Sequence, residues 1–437
     1  MGPALAHGAI GGRIDLPVPR WMFVFGAGTA LIVSFAALST LWKEPRYEHR
    51  RPRRAAPSAL QAVLTSRTLE WVVRILSLFF FLVVASASAR RVALRDTIGP
   101  IVVYAWFWIG LTFVHAVVGN LWATMSPFDT MGRLVGLDED PPSREYPASW
   151  GAWPAAVLLF LFVWNELVDP FGAYLGSLGI MIVAYTLVQI VGMQRYGRRS
   201  WIENTEAFAV YFGLIAAIGA LERDPDGRVV LRPPLSGLAQ VQPRPGLLAV
   251  VMVALGSTTF DGVSRMQWWT TWTAGIGGTA RPVVFTAGLL AVIGLVTVAY
   301  LLAMRAAAAV GGERWHPLAL RFVPSLIPIV LAYLIAHYFS FLALEGQIGL
   351  LRLSDPFGLG WDLFGTADWV LNLALLSPTT IWYVQVAAIV IGHVGGVIVA
   401  HDRAIALFDP ETAVRTQYAL LAVMVAFTAS GLLILSG

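Results

Sequence analysis

Residues 379–400 read TTIWYVQVAAIVIGHVGGVIVA, an apolar run that contains no Asp, Glu, Lys or Arg and one histidine, His393. At about 1.5 Å of rise per residue, such a run forms a helix roughly 30 Å long, the thickness of the hydrocarbon core of a bilayer. A helix on the surface of a soluble protein carries one polar face, and this one is apolar all round. The stretch therefore reads as a transmembrane helix. The same ruler finds nine more candidates, at 21–42, 71–89, 99–121, 152–167, 173–193, 246–263, 283–304, 318–344 and 414–435. A further apolar run, 207–221, is too short to cross and is flanked by Arg195, Arg198, Arg199 and the polar run 222–232, so it reads as an interfacial or re-entrant helix. The expected fold is an all-α polytopic bundle of about ten spans, a single integral membrane domain over 1–437.

Composition agrees. The chain is 57% hydrophobic and only 13% charged, against about a quarter charged in soluble domains. Its 17 Trp, 23 Phe and 12 Tyr can supply the aromatic belts found at the two membrane interfaces. Cysteine is absent, which excludes disulfides, thiolate metal sites and a cysteine nucleophile.

Lys and Arg collect on the cytoplasmic side of membrane proteins, and most of them fall on one side when both termini are placed outside. The main contributor is KEPRYEHRRPRR at 43–54, in a basic cytoplasmic loop spanning 43–70. A second cytoplasmic segment, 194–245, contains the short apolar helix. Topogenesis, with some attraction for anionic lipid, accounts for the net charge of +4, and no nucleic-acid partner is needed. The expected location is a bacterial inner membrane. The outer loop 345–378 contains LSDPFGLGWDLFGTADW, where Gly358, Gly360 and Gly365 permit tight turns and Trp361, Phe364 and Trp369 can rest on the membrane surface.

The first 20 residues contain no apolar run of signal-peptide length. Ala4-Leu5-Ala6 nevertheless resembles a signal-peptidase site, and cleavage there exposes His7, whose amine and imidazole form a copper-type ligand pair.

Ionisable groups inside spans are costly and point to function. His115, His337, His393 and His401 qualify. On the one helix they share, His393 and His401 stand roughly 12 Å apart along the axis and roughly 80° apart around it, too far for one metal. By depth, His115, His393, His401 and Asp402 form one candidate metal layer. His337, with Asp261 and within reach of Glu166, Asp169, Asp15 or His7, forms a second. Asp261 lies in GSTTFDG, a run that breaks an apolar helix, and Arg265 follows four residues later. Pro324 and Pro328 should kink the span below His337. In GNLWATMSPFDTMGR, Ser126-Pro127 suggests a helix start, and Asp129 can pair with Arg133. Gly392, Gly395 and Gly396 allow close helix approach. No Walker A loop, GxGxxG fingerprint, HExxH or GxSxG motif occurs.

HGAIGGRIDLPVPRWMF near the N-terminus, GNLWATMSPFDTMGR, GSTTFDG, SDPFGLGWDLFGT and the closing SPTTIWYVQVAAIVIGHVGGVIVAHDRAIALF together resemble bacterial polytopic membrane proteins labelled fenitrothion hydrolase. The likeness extends over most of the chain. It implies hydrolysis of an organophosphorus triester at the phosphorus–aryloxy bond, usually assisted by a divalent transition metal, with an apolar substrate arriving through the bilayer. On that expectation His337 and Asp261 act as ligands or base and Arg265 binds a phosphoryl oxygen. His115, His393, His401 and Asp402 are the alternative metal site. A different class of function, handling or transport of a copper-like cation or small solute, would use the same histidines, and a partner subunit could perform the chemistry.

Overall fold

The computed structural model describes residues 19–48, 53–90, 96–137, 143–168, 176–224 and 226–436, without the side chains of Arg20 and Ser436. His7, Asp15 and Asp169 lie outside the described residues. Among those described, eight helices are long and apolar enough to cross a membrane: Trp21–Leu41, Arg67–Ser88, Gly99–Val118, Ser177–Tyr196, Ala280–Gly311, Trp315–Leu344, Pro378–Leu407 and Pro410–Leu435. Leu247–Val263 and Gln267–Thr273 form a ninth if counted as one span, bent by 78°. The protein is thus an all-α, multi-pass membrane protein. The tenth apolar run becomes the 15-residue helix Trp153–Leu167, shorter than the roughly 20 residues a span requires.

The described residues fall into two compact units. One comprises Arg53–Arg232 and Ser340–Leu376; the other comprises 19–48, Pro233–Phe339 and 377–436. The hydropathy profile contains no marker of this division, because both units are built from equally apolar helices.

In the first unit, the short helix Ala207–Ala216 is packed inside the protein. Ala207, Phe208, Val210, Tyr211, Phe212, Leu214, Ile215 and Ala216 are all buried, as expected of a helix that is apolar on every side. Glu206 caps its N-terminus, accepting from the N–H groups of Phe208 and Ala209. Within the Gly99–Val118 span, Val102–Gly110 is wound as a π-helix, a widened form that occurs mostly as short bulges at functional sites. Ser126 caps Pro127–Leu134 by accepting from the Asp129 N–H, and Arg133 pairs with Asp129 at 3.0 Å, as the spacing predicts. In the loop after Gln347–Leu353, Gly358, Gly360 and Gly365 all have positive φ, and Asp355 closes the first turn by accepting from the N–H groups of Leu359 and Gly360. Trp361, Phe364 and Trp369 are exposed beside it.

In the second unit, Pro324 interrupts its span, while Pro328 lies within the helix that follows. Trp315–Phe322 and Ile327–Leu344 are joined by a 3-10 turn at Val323–Leu326, where Pro lacks the N–H an α-helix would use. The Pro378–Leu407 helix packs against this broken span through its glycines. A Cβ on Gly392 would collide with Ala332 and would lie 2.7 Å from the Pro328 carbonyl oxygen, and one on Gly396 would lie 2.8 Å from the Ser325 carbonyl oxygen. Gly392→Val should therefore destabilise the protein by about 2 kcal/mol, the usual scale for overpacking a well-filled interface. Its thermal midpoint in detergent checks this; Gly294→Val, at a position with open space around it, is the control and should leave the midpoint unchanged.

Candidate functional site

The second unit contains the most chemically suggestive arrangement. Leu247–Val263 is apolar until Ser257, Thr258 and Thr259, whose hydroxyls fold back onto the carbonyls of Ala254 and Leu255 and so remain satisfied inside the bundle. The helix ends just beyond Asp261, and the chain turns through 78° into Gln267–Thr273. At this elbow Arg265 holds Asp261: Nη2 donates to Oδ1 at 2.7 Å and to Oδ2 at 2.9 Å, and Nε donates to Oδ1 at 3.1 Å. His337, on Ile327–Leu344, places Nε2 2.8 Å from Asp261 Oδ2. Beside it, Gly262 leaves space for Ile434, which a Cβ there would meet at 2.5 Å.

The three side chains are graded in exposure, with Asp261 at 5%, His337 at 12% and Arg265 at 39%. A carboxylate only accepts, so in the neutral ring the hydrogen bond to Asp261 places the imidazole proton on Nε2 and leaves Nδ1 with the lone pair. Asp–His pairs of this kind orient an imidazole for proton transfer. The sequence-level grouping of His337, Asp261 and Arg265 is thus an assembled constellation. Glu166, considered as a further member, belongs to the other unit.

The alternative metal layer draws His115 from the first unit and His393, His401 and Asp402 from the second. Among the described residues, no three His, Asp or Glu side chains come together as a metal site. His115 uses both nitrogens within its own unit: Nδ1 lies 2.6 Å from the Leu111 carbonyl and Nε2 accepts from the Trp122 N–H at 2.9 Å. The ring also stacks on Phe212 at 4.4 Å. His401 is likewise engaged, with Nδ1 on the Gln417 amide and Nε2 3.1 Å from the Trp42 carbonyl. Asp402 accepts from Trp42 Nε1 at 2.9 Å and from the backbone N–H groups of Arg46, Tyr47 and Glu48 at 2.5, 2.8 and 3.1 Å. It is a tether for the chain after the first span, reinforced by Arg403 on Glu48 at 2.8 Å. Depth along a helix says nothing of azimuth or of the backbone groups brought by tertiary folding.

His393 differs from the other two. Its Nδ1 lies 2.8 Å from the Ile389 carbonyl, but Nε2 is buried with no hydrogen-bond partner among the described residues. The ring faces Tyr333, with centroids 6.0 Å apart, and Tyr333 is one helical turn from His337.

Two polar clusters of the first unit escaped the sequence reading. Arg74, 3% exposed, pairs with Asp129 at 2.7 Å and with Glu70 at 2.9 Å; Arg198 also pairs with Asp129. Glu206 accepts from Trp122 Nε1 at 2.8 Å and from the Tyr185 hydroxyl at 2.5 Å, besides the two N–H groups it caps. Burial pushes its carboxyl above the ordinary carboxylate range, against the opposing pull of these four donors. The available signals were an arginine within a span and a carboxylate just ahead of an apolar run.

No family model matches the chain, and neither do any curated protein or solved structure.

Proposed function

We propose that this protein is a bacterial inner-membrane hydrolase of apolar organophosphorus triesters, with His337 as general base. The single observation that carries the chemistry is the Arg265–Asp261–His337 constellation at the helix elbow. The substrate class is supported by the resemblance to proteins labelled fenitrothion hydrolase. Nδ1 of His337 takes a proton from water as its oxygen attacks phosphorus; the phosphorus–aryloxy bond breaks, the electron pair leaves with the nitrophenolate, and a dialkyl phosphate-type acid remains. Asp261 holds the imidazole and offsets the charge that develops on it, and Arg265 fixes the carboxylate and presents its exposed edge to a phosphoryl oxygen.

A divalent transition metal would find two ligating side chains here, and Arg265 already occupies the Asp261 carboxylate. These residues do not fit a resident metal, so the step is derived through the base alone. The test is release of 3-methyl-4-nitrophenol from fenitrothion by detergent-purified protein, with elemental analysis of the same sample.

A second reading is favoured by one specific feature, the unpartnered Nε2 of buried His393. In that reading Asp261, His337, Tyr333 and His393 mark a path for a proton or a copper-like cation through the second unit. Cation uptake into proteoliposomes, abolished in His393→Ala, tests it. A partner subunit would be seen as a stoichiometric companion on gentle purification.

A further inference from the structure

The first unit encloses a cavity of about 410 Å³, more than twice the roughly 150 Å³ at which a dry apolar cavity already takes up benzene. One wall is the π-helical stretch. Val102, Val103, Trp106, Phe107 and Leu111 all line the space, although Val102 and Leu111 are separated by about two and a half turns of an α-helix, which would set them on opposite faces. The wider winding, in which the Leu111 N–H bonds to the Trp106 carbonyl, returns both to one face. Phe81, Trp122, Phe128, Phe162 and Phe208 supply other walls. Neighbouring rings cross steeply, Phe81 and Phe128 at 75° with centroids 5.4 Å apart, and Phe162 and Phe208 at 88° and 5.1 Å.

This wall selects against polar occupants. Among the described residues no charged side chain lines it, so an ion would find no counter-charge. Its polar side chains are committed: Ser77 donates to the Met125 carbonyl, Trp106 to the Gly346 carbonyl, and Trp122 and Tyr185 to Glu206. A water molecule needs roughly two to four polar partners, and these side chains have no donor left to offer it. A space of this size left unfilled would cost its lining the contacts that close packing supplies. An uncharged, apolar molecule meets all three conditions. Leu161, Ala184 and Val188 line the cavity and are exposed, so it opens between the helices Trp153–Leu167 and Ser177–Tyr196 onto an apolar face that, in a membrane-spanning chain, meets lipid. Crossed aromatic walls favour another ring, which gains edge-to-face and offset contacts that a flexible chain does not. We propose that this cavity binds an uncharged aromatic or fused-ring compound drawn from the bilayer. The proposal rests on the first unit alone and is independent of the hydrolase reading.

The test uses the full-length protein in phosphatidylcholine nanodiscs, photolabelled with the neutral arene 1-azidonaphthalene and mapped by peptide mass spectrometry. Saturable labelling of peptides containing Phe81, Trp106 or Tyr185 is expected, displaced by excess anthracene and unaffected by hexadecane or by anthracene-9-carboxylate. Val84→Phe and Val103→Phe each add a ring to the cavity from a different wall. Either should lower labelling of these peptides by about tenfold, as added side-chain volume takes the place of the ligand, and leave labelling of the lipid-facing helices unchanged. The competition is read on the unaltered protein, so it decides the matter even if neither variant folds. Labelling spread evenly over lipid-facing helices, or undiminished in both folded variants, would overturn the proposal. So would displacement by hexadecane, which would make the occupant an acyl chain, or displacement by the carboxylate, which would show that charge is admitted.

Discussion

Replacing His337 by alanine should lower nitrophenol release by on the order of 10²–10⁴-fold, the range that a positioned general base contributes. The loss should appear in kcat, because the imidazole acts as charge moves in the transition state and adds little to binding an uncharged triester. Asp261→Asn should reduce kcat on a similar scale. The amide cannot accept the Nε2 proton as a carboxylate does and no longer offsets a positive imidazole. Arg265→Gln should have a smaller effect, about tenfold, since the guanidinium is the exposed outer member and acts through Asp261 as well as through substrate. His393→Ala should retain turnover if the hydrolase reading holds and lose proteoliposome uptake if the path reading holds. Unchanged kcat in both His337→Ala and Asp261→Asn would remove the constellation from the chemistry.

The second large effect is on stability. Glu206→Leu should destabilise the protein by on the order of 3 kcal/mol or more, since it deletes a helix cap and strands the indole N–H of Trp122 and the hydroxyl of Tyr185 in an apolar interior. Glu206→Gln, which keeps one accepting oxygen, should cost less. Thermal unfolding in detergent separates the two variants. The pH dependence has a definite sign. Burial raises the folded-state pKa of Glu206, so its protonated form contributes stability that is fully present below the ordinary carboxylate pKa and lost as pH rises through the raised value. Glu206→Gln should flatten that part of the stability profile. An unaltered profile in this variant would show that the four donors balance burial, and a change of the opposite sign that they outweigh it.

Some local features were readable because they depend on short-range rules. The Asp129–Arg133 pair, the Ser126 cap, the break at Pro324 and the glycine contacts of the Pro378–Leu407 helix all follow from spacing along one helix or from what a proline or glycine does to a backbone. Asp261 with His337 was readable for another reason. A buried carboxylate in hydrocarbon requires a partner, and counting residues along the spans sets His337 at the same depth as Asp261.

The saturation of His115 and His401 was not readable. Their partners are a backbone N–H at Trp122 and a carbonyl at Trp42, groups that every residue possesses and that leave no mark in a sequence. Nor did hydropathy reveal the cavity, since an empty space and a packed one can be lined by the same Phe and Trp residues.

By itself, then, the amino-acid sequence determined that this chain is a bundle of apolar helices in a membrane, because hydrocarbon leaves the backbone few ways to satisfy its polar groups. Only tertiary structure decided which imidazoles are tied to backbone, which one stands against a carboxylate and which is left without a partner. Those outcomes depend on the rotation and approach of neighbouring helices, where a shift of an ångström makes or breaks a hydrogen bond while hydropathy is unchanged.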